Sequence, residues 1–464
     1  MANYSGEMTD ESIRAVFGNT GDFIARELRC GKWTLYAYAI DGLISGSDAS
    51  DYIFKPITEH LAAESMDALY EYARHGVIYN AVADPCKDLQ TVALKLVNGF
   101  CVVLFPGVGA IAFEVKTPEK RGISPPDVEH TAKGAKDAFV ETVRSNTSLI
   151  RRHLRTPDLR FSEMQVGAYS VTNVAVAWIE GLTDEKLVER MKKRLSSLET
   201  ESLITPAAVE ELITGSRTTA FPLLQYTERS DRFAQDLLKG RVGVLVDGIP
   251  LGYLAPVDVG ALMESPEDWG KDYVSASCVR ILRYGALLIS LLLPGLFVAM
   301  ATFHQEMIPL PLLRSIIESK QAVPFSTTME ILTMLLAFEL LQESGVHLPQ
   351  AFGQSVSIIG GIVVGSAAVE AKIISPVALI VVSVAGVCGY VLPNRDFADA
   401  VRVWRFGIAA LAAIAGLFGW TVGLLLLVLH LAGLSSLDAP YLSPFSGGGK
   451  SILRKRVRNG GENS

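Results

Sequence analysis

Small residues recur at every fourth position in an apolar stretch of the last third of the chain. They are Gly353, Ser357, Gly361 and Gly365. On a helix this spacing places them on one face, along which a neighbouring backbone can approach closely or a column of water can run. The pattern therefore supports two interpretations, tight helix packing and the lining of a pore.

Residues beside this stripe have the chemistry of a gate. Val356, Val363 and Val364 would form hydrophobic constrictions that close by losing water. Glu370 stands at the far end of the stretch, where one acid from each copy in an oligomer would make a ring of carboxylates that favours cations. Under the packing interpretation, the same helix contacts its neighbours, within one chain or between subunits.

Three carboxylates, Glu306, Glu330 and Glu339, lie in or beside apolar segments. A charged side chain in hydrocarbon is costly, so an acid there is by default a functional candidate. Segment 329–341 is short for a membrane span, however, and both acids within it can reach headgroup depth. A functional role and a place at the interface are both open for this segment.

Motifs of common enzyme classes are absent: there is no phosphate-binding GxxxxGK[ST], no GxSxG and no HExxH. The seven histidines are isolated, and the five cysteines form no CxxC pair. We therefore expect no enzymatic activity, no metal and no cofactor. The scattered cysteines indicate a reducing compartment rather than a disulfide framework.

Charge and hydropathy divide the 464 residues into two parts. Residues 1–280 carry 30 basic and 39 acidic side chains, and this net charge of −9 argues against nucleic acid as a partner. Apolar segments begin near Leu282 and continue to about Leu437. Arg280 and Arg283 precede the first of them, so the positive-inside rule predicts a cytosolic first part.

Five segments are candidate membrane spans: 282–301, 329–341, 353–369, 373–392 and 407–431. An odd count places the basic tail on the side that the charge rule disfavours. If 329–341 does not cross, the conflict reverses, and Gly416, Gly419 and Gly423 would let the last segment turn back as a hairpin. The sequence thus predicts a helical bundle and leaves the number of spans open.

The first part of the chain repeats one plan. A β-forming run ends at Gly42 and gives way to a helical stretch, and Gly99 then precedes two apolar runs that predict a hairpin. Gly181 and Gly240 stand in the same places in a second copy, 59 residues apart against 57 in the first. The alternative is that any two α/β segments look alike at this coarseness.

The predicted fold is a two-lobed cytosolic domain of α+β or α/β class, followed by an all-α transmembrane bundle of about five spans. The boundaries are residues 1–120 for the first lobe, 121–160 for a linking helical segment, 161–280 for the second lobe, 281–437 for the transmembrane domain and 438–464 for a basic flexible tail.

The linking segment has helical spacing from Asp137 to Arg155. Four arginines lie around the predicted helix: Arg144, Arg151, Arg152 and Arg155. They form either an anion or partner site, or a solvated face that pairs with acidic surroundings. We favour the solvated face, because this part of the chain is acidic.

The linking segment also carries the motifs of a known family. Its matching residues are Phe139, Glu141, Thr142, Val143, Arg144, Asn146, Leu149, Ile150, Arg151 and Arg152. Further matches follow in order: Phe221-Pro222, Thr227-Glu228-Arg229, Gly240-Arg241-Val242, Val246-Asp247-Gly248, Ser265-Pro266-Glu267-Asp268, and residues 303–309, 323–325, 353–358 and 368–371. With these residues the chain, from about Asp22 to Phe445, resembles the A subunits of spore germinant receptors, the GerA family of endospore-forming bacteria.

Two positions depart from the family pattern. Lys133-Gly134-Ala135 stands where the family has Arg-Gly-Pro, and Ser230 stands where a proline usually follows Thr-Glu-Arg. Both lie in turns, so they put in doubt a fine role for those turns and not the resemblance.

The resemblance implies a multi-pass subunit in the inner membrane of the spore, with its N-terminal domain on the cytosolic, spore-core side. Its implied partners are a transporter-like B subunit, a lipoprotein C subunit, membrane lipid and further copies of the chain, and no nucleic acid. Family members are proposed to form a homo-oligomeric ring that acts as a nutrient-gated cation channel and triggers germination. We expect this function, with the helix of residues 353–369 as the gate.

Two other functions fit the sequence. One is the paralogous germination ion-channel component encoded with dipicolinate-release genes in sporulation operons, which has no nutrient of its own. The other is a solute-transporter subunit whose two lobes bind a small molecule. The nutrient, the ion selectivity and the number of copies in the oligomer are left open.

Overall fold

The structure, a computed structural model, describes residues 4, 6–60, 63–75, 82–116, 125–126, 129, 131, 133–197, 201–215, 219–346 and 365–442. The chain divides into an α/β unit, Met1–Ser216 with Leu224–Pro256, and a helical unit, Arg217–Leu223 with Val257–Ser464. Six of the predicted pore residues lie outside the described residues: Gly353, Val356, Ser357, Gly361, Val363 and Val364.

The first lobe is a sheet with helices on both faces. Its elements are α1 (Asp10–Phe17), β1 (Phe23–Cys30), β2 (Trp33–Ile40), α2 (Gly46–Ala49), a π-helical turn (Ser50–Phe54), α3 (Lys55–Glu59), α4 (Met66–His75), β3 (Ala83–Cys86), α5 (Leu89–Val97), β4 (Phe100–Phe105) and β5 (Gly109–Glu114). The strands pair antiparallel in the order β1-β2-β4-β5-β3. One apolar core lies under α1 and α5, and another under the helices between β2 and β3.

The second lobe has the same architecture. Its elements are α6 (Val143–His153), β6 (Leu159–Val166), β7 (Thr172–Ile179), α7 (Glu185–Ser197), α8 (Pro206–Thr214), β8 (Gln225–Thr227), α9 (Ser230–Leu237), β9 (Val242–Val246) and β10 (Gly252–Ala255). The strands again pair antiparallel, in the order β6-β7-β9-β10-β8. α6 and α9 cover one core, in the places that α1 and α5 have in the first lobe.

Backbone geometry repeats with the topology. Gly99 and Gly240 have φ of 81° and 82°, a region that favours glycine. A Cβ on either glycine would lie 3.1 Å from a backbone oxygen, that of Leu43 in the first lobe and that of Leu182 in the second. The same close approach at matching places confirms the duplicated plan predicted from the sequence.

Within its described residues, the helical unit contains two helices that are long and apolar enough to cross a membrane, Tyr273–Thr302 and Arg395–Gly433. Its elements are α10 (Val259–Leu262), a 3-10 turn (Pro266–Gly270), α11 (Tyr273–Thr302), a 3-10 turn (Gln305–Met307), α12 (Leu310–Lys320), α13 (Thr327–Val346), α14 (Pro376–Tyr390), α15 (Arg395–Gly433) and two short strands (Ser435–Ser436 and Ala439–Pro440). The predicted segment 329–341 belongs to a helix of 20 residues, longer than expected. The count of five spans stays a prediction.

α15 is a helical hairpin. It reverses at Gly416, whose φ is 60° and ψ −137°, and the ring centroids of Trp404 and His430 on its two arms lie 5.4 Å apart. A Cβ on Gly419 would lie 2.0 Å from a backbone oxygen of the first arm, so only glycine permits this approach. Segment 407–431 is therefore not one straight span, and the hairpin that its glycines indicated is confirmed.

The segment after α15 packs beside the segment that leads into α11. The Val259 N–H donates to the Tyr441 oxygen at 3.0 Å, and the Val257 N–H donates to Ser436 Oγ at 3.0 Å. The described chain thus leaves the helices at the end where it entered them.

Candidate functional site

Arg151, on α6, lies fully buried between the two lobes. Its Nε and Nη2 donate to the two carboxylate oxygens of Asp22 at 2.7 and 2.9 Å, and its Nη1 donates to the Thr156 oxygen at 3.0 Å. The guanidinium also lies over the Phe161 ring, 5.2 Å from its centroid. Because bidentate bonds compensate the cost of burying both charges, this pair fastens lobe to lobe. The prediction of a solvated arginine face is wrong for Arg151.

Arg144 makes a second ionic contact across the same junction. Its Nε lies 3.0 Å from an oxygen of Asp41 in the first lobe, and its Nη1 lies 2.8 Å from one of Glu163 in the second. One turn along α6, Ser148 occupies the space above Gly42, where a Cβ would meet Ser148 Oγ at 2.0 Å. The glycine therefore permits α6 to seat on the first lobe.

The helix that contains these arginines begins at Val143, six residues later than the spacing predicted. Asp247 accepts a hydrogen bond from the Val143 N–H at 2.9 Å, which satisfies a donor of the first turn. The Asn146 side chain accepts from the Val140 N–H at 2.8 Å and donates to the Val140 oxygen at 2.6 Å. Residues 137–142 are thereby held in a non-helical path, because side chains take the hydrogen bonds that a helix would use.

The other motif residues of this segment have mixed surroundings. Phe139 is buried and meets Phe233 edge-on, with centroids 5.4 Å apart. The Glu141 side chain is exposed, and its backbone oxygen accepts from the Gly248 N–H at 2.7 Å. Arg152 is half-buried. These contacts join the linking segment to the second lobe.

Arg229 clamps the turn that departs from the family pattern. Its guanidinium donates to Thr131 Oγ1 at 2.8 Å and to the Ala135 oxygen at 3.0 Å, and it pairs with Asp231 at 2.7 Å. A Cβ on Gly134 would lie 2.8 Å from Arg229 Nη2, so a larger residue there requires the guanidinium to shift. The flanking substitutions leave this contact intact.

Thr227 and Glu228, which precede Arg229, contact Glu129 at the start of the same turn. Glu129 accepts hydrogen bonds from Thr227 Oγ1 and Arg232 Nη1, and the Glu129 N–H donates to Glu228 Oε1 at 2.6 Å. The motif therefore fastens Glu129, Thr131 and Ala135 to the second lobe.

Asp137, His153 and Ser230 meet at the edge of this cluster. Asp137 Oδ2 and Ser230 Oγ both approach His153 Nε2, at 2.8 and 3.0 Å, and Ser230 Oγ donates to Asp137 at 2.6 Å. The hydrogen bond from His153, with a second from Ser230, lowers the pKa of Asp137 to about 2 against the opposing effect of burial. Both partners use one ring nitrogen, so the triangle cannot relay a proton as a catalytic triad does.

Asp268, from the Ser-Pro-Glu-Asp motif, is a buried anchor of the helical unit. Arg283 Nη1 and Nη2 donate to its oxygens at 2.7 and 2.9 Å, and Arg280 Nε donates at 3.2 Å. Burial opposes ionisation of Asp268, but the hydrogen bonds and charge of Arg283 outweigh it and lower its pKa. Arg280 and Arg283, from which the positive-inside rule predicted the orientation, lie inside α11 and donate to this carboxylate.

Glu339, one of the predicted intramembrane acids, joins three helices. Its oxygens lie 2.8 Å from Arg402 Nη1 and 2.8 Å from Arg405 Nη2, both on α15. Arg405 is buried and also donates to Ser290 Oγ on α11 at 3.4 Å. An ion pair of this kind among apolar helices holds one discrete packing of α11, α13 and α15.

Glu330, a residue of α13, is buried against the start of α14. Its Oε2 accepts from the Ser375 N–H at 2.8 Å, at the N-cap of that helix, and Lys320 Nζ lies 3.5 Å from its Oε1. A carboxylate is favourable at a helix N-terminus, where unpaired N–H groups carry partial positive charge. Glu330 thus links α12, α13 and α14.

The remaining candidates of the helical unit are scattered. The Glu306 side chain is exposed and lies 3.7 Å from the His304 ring. Glu370 is exposed, and Gly365, the one described member of the small-residue stripe, is buried. A Cβ on Gly365 would lie 3.1 Å from a methyl of Leu379 on α14, the contact that the packing interpretation expects.

Sequence reasoning missed the partners of these residues, above all Asp22 and Asp268. The sequence does contain a signal that Asp22 is important: Asp22 directly precedes the first strand of the first lobe, and Asp158 directly precedes the matching strand of the second. The backbone oxygen of Asp22 accepts a hydrogen bond from the Asp41 N–H at 2.7 Å, and that of Asp158 accepts one from the Glu180 N–H at 2.8 Å. Their repetition marks a position that the fold uses twice.

Two like lobes, a motif-rich linking segment and a helical unit with long apolar helices define the class of protein. A family model described as Bacillus/Clostridium GerA spore germination protein matches residues 11–458. The chain belongs to this GerA spore germination family.

Individual relatives agree with the family model. The chain is 33% identical over 438 residues to the uncharacterized membrane protein YfkQ of Bacillus subtilis (strain 168), covering 94% of this chain and 85% of that protein. It is 34% identical over 384 residues to spore germination protein A1 of the same strain, covering 81% and 80%. The N-terminal domain of the A subunit of the Bacillus megaterium spore germinant receptor GerK3 is a similar solved structure, with TM-score 0.42 and 24% identity, covering 55% of this chain and 96% of that one.

Proposed function

We propose that the chain is the A-type membrane subunit of a spore germinant receptor and assembles into a nutrient-gated cation channel. The observation that carries this proposal is the family match over residues 11–458, which includes both units. Relatives over most of this length bear the name spore germination protein. The proposal places the chain in the spore inner membrane with a transporter-like B subunit and a lipoprotein C subunit, and assigns it no catalytic chemistry.

The geometry of the helical unit supports a membrane arrangement with an even number of crossings. The segment around Tyr441 returns to Val259, before α11, so both ends of the helical unit lie on one side of the proposed bilayer. At 1.5 Å per residue, each arm of the α15 hairpin is about 25–30 Å long, enough to reach across the hydrocarbon.

We assign the two-state element that gating needs to the ion pairs of Glu339, in which Arg405 is buried while Glu339 and Arg402 are partly exposed. The Glu339 contacts with Arg402 and Arg405 are made in this packing of α11, α13 and α15, and the proposed mechanism breaks them when the packing changes. In this mechanism, nutrient sensing in the companion subunits shifts the packing of α11, α13 and α15. The helix of residues 353–369 then opens, and the α/β units hold the ring together.

The test is ion flux through purified protein in liposomes, with and without companion subunits and nutrient. We expect cation flux only with both, a leak without nutrient for Val363→Ala, and no flux for Gly361→Leu. Val387→Ala, on the exposed face of α14, is the control and should behave as the parent. Absence of flux from the complete complex contradicts the proposal, whereas parent-like behaviour of both variants places the gate elsewhere.

A further inference from the structure

α12, the helix that joins α11 to α13, buries little of its surface against the rest of the protein. Ile316 is the buried one among its 11 residues, and the helix packs against α14. At its C-terminal end, Lys320 Nζ donates to Thr327 Oγ1 and lies 3.5 Å from Glu330 Oε1, both on α13. These contacts fix the direction of α12 and leave most of its surface exposed.

The sequence of α12 is amphipathic. At about 100° per residue, its large apolar residues fall within an arc of about 160°: Leu310, Leu312, Leu313, Ile316 and Ile317. The protein covers the middle of this arc at Ile316. On one flank Leu310 and Ile317 are 60% and 49% exposed, and on the other flank Leu312 is 52% exposed. Apolar surface that stays exposed on both flanks of a contact indicates a further apolar partner.

The opposite side of α12 is polar. Arg314, Ser315 and Glu318 lie there and are exposed. Arg314 follows Leu310 by four residues and precedes Ile317 by three, so it stands at the edge of an exposed apolar flank. An arginine at such an edge lays its apolar stem along the flank and keeps its charge among water or phosphates.

α12 lies at the end of the helical unit that is remote from Val259 and Tyr441. It follows the C-terminal end of α11, whose 30 residues span about 45 Å. The reversal of α15 lies at the same end, because a Cβ on Gly416 would lie 3.0 Å from Phe303 Cβ and 3.1 Å from His304 Nε2. α12 therefore shares one end of the unit with the turn of the α15 hairpin.

The turn of the α15 hairpin is itself apolar. Residues 407–419 contain no polar side chain, although turns that face water usually use asparagine, aspartate, serine or proline. Ile414 and Phe418, on either side of Gly416, are 77% and 73% exposed. Exposed apolar residues thus lie on two flanks of α12 and at the neighbouring turn. Lipid covers all of these positions at once because it surrounds a helical bundle, whereas one protein partner covers one side.

We propose that α12 is an interfacial helix that lies in the plane of the membrane, at the lipid–water boundary remote from Val259. Its apolar flanks enter the acyl chains, and Arg314 reaches the lipid phosphates. Its 11 residues span about 16 Å, which is too short to cross the hydrocarbon and is typical of an interfacial segment. The inference rests on the membrane placement in the proposed function and is independent of ion flux.

Spin labels test this placement in the full-length protein, reconstituted in liposomes of phosphatidylcholine and phosphatidylglycerol. Cys278→Ser with Cys388→Ser is the background, because the other three cysteines are buried. One label at a time is attached at a flank position, on Leu310→Cys, Leu312→Cys or Ile317→Cys. We expect each flank label to collide more often with oxygen, which concentrates in lipid, than with a nickel chelate, which stays in water.

Ser315→Cys and Glu318→Cys are the matched controls on the polar side of the same helix, and the order of the two collision rates should be reversed there. The ratio of the rates also reports depth. Leu310 and Ile317 are about 10 Å apart along the helix axis. A helix in the membrane plane gives their labels the same depth, whereas a helix along the bundle axis gives depths that differ by about 10 Å.

Leu288→Cys, at a position of α11 that is 55% exposed, reports separately whether the helical unit is in the bilayer. With that label in lipid, flank labels that meet the nickel chelate as often as the polar-side labels overturn the inference and leave the proposed function standing. Flank labels at unequal depths, or shielded from both reagents by a protein partner, overturn it as well. If the Leu288→Cys label itself meets the nickel chelate, the membrane placement in the proposed function fails together with the inference.

Discussion

Arg151 and Asp22 lie 129 residues apart in the chain and form a bidentate ion pair with both side chains buried. The pair lies where the second lobe seats on the first, beside the second ionic contact that Arg144 makes across the same junction. Neither charge has water as an alternative partner in the folded state. The junction therefore depends on both residues together.

Replacing Arg151 by methionine should destabilise the α/β unit by about 3–5 kcal/mol, because it leaves the Asp22 carboxylate buried and unpaired. Thermal unfolding of the full-length protein in detergent measures the effect. Arg155→Met, at an exposed position of the same segment, should cost less than about 1 kcal/mol. Adding Asp22→Leu to Arg151→Met should recover part of the loss, and failure to recover any of it would refute the account of an unpaired charge.

Gly42→Ala and Gly181→Ala form a matched pair. Both place a Cβ at φ of 73–80°, so both carry the same backbone strain. Only the alanine at 42 also collides with Ser148, and overpacking of this kind costs about 1–3 kcal/mol more. Comparison of the two melting curves isolates the lobe contact, and equal losses would show that Ser148 moves aside freely.

The lowered pKa of Asp137 predicts that part of the free energy of unfolding is lost in acid. Its folded pKa of about 2 lies below the ordinary value, so its contribution is complete above pH 4 and is lost as the pH falls towards 2. The contribution is on the order of 1 kcal/mol, because the side chain is partly exposed. Chemical denaturation of the parent and Asp137→Asn should differ at pH 6 and converge near pH 2. Glu11→Gln, at an exposed position, should show no such convergence.

The hairpin of α15 predicts a proximity that a straight helix forbids. Trp404→Cys with His430→Cys should form a disulfide or accept a short cross-linker, since the native rings lie 5.4 Å apart. Gly416→Ala should reduce cross-linking, because a Cβ there meets Phe303 at 3.0 Å in a left-handed backbone. Gly407→Ala, whose Cβ meets no atom within 4 Å in the described part of the chain, should leave cross-linking unchanged. A parent that never cross-links contradicts the hairpin.

Glu339→Gln should loosen the contact among α11, α13 and α15, because it removes the charge that Arg405 and Arg402 share. We expect nutrient-independent ion flux in liposomes and a lower melting temperature. Glu318→Gln, on the exposed face of α12, is the control for loss of an acid in the helical unit. Loss of stability without any leak would assign Glu339 to packing alone.

Local patterns in the sequence were sufficient for much of the fold. The β-forming residues from Trp33 to Ile40 and the hairpin from Phe100 to Glu114 have the predicted form, because strand alternation and turn chemistry act over a few residues. The helix start at Val143 was missed, since the competing bonds come from Asn146 and from Asp247, a hundred residues away. The spacing of apolar residues contains no information about these competing hydrogen bonds.

The sequence by itself determined the family, the duplicated lobes, the division into an acidic part and an apolar part, and the glycines that turn α15. These properties follow from composition and from periodicities of two to four residues. Only the tertiary structure decided which charges meet, such as Arg151 with Asp22 and Glu339 with Arg405, and how far each charge is buried. The energy of an ion pair depends on the separation of its charges in space and on exclusion of water, and neither quantity is a function of distance along the chain.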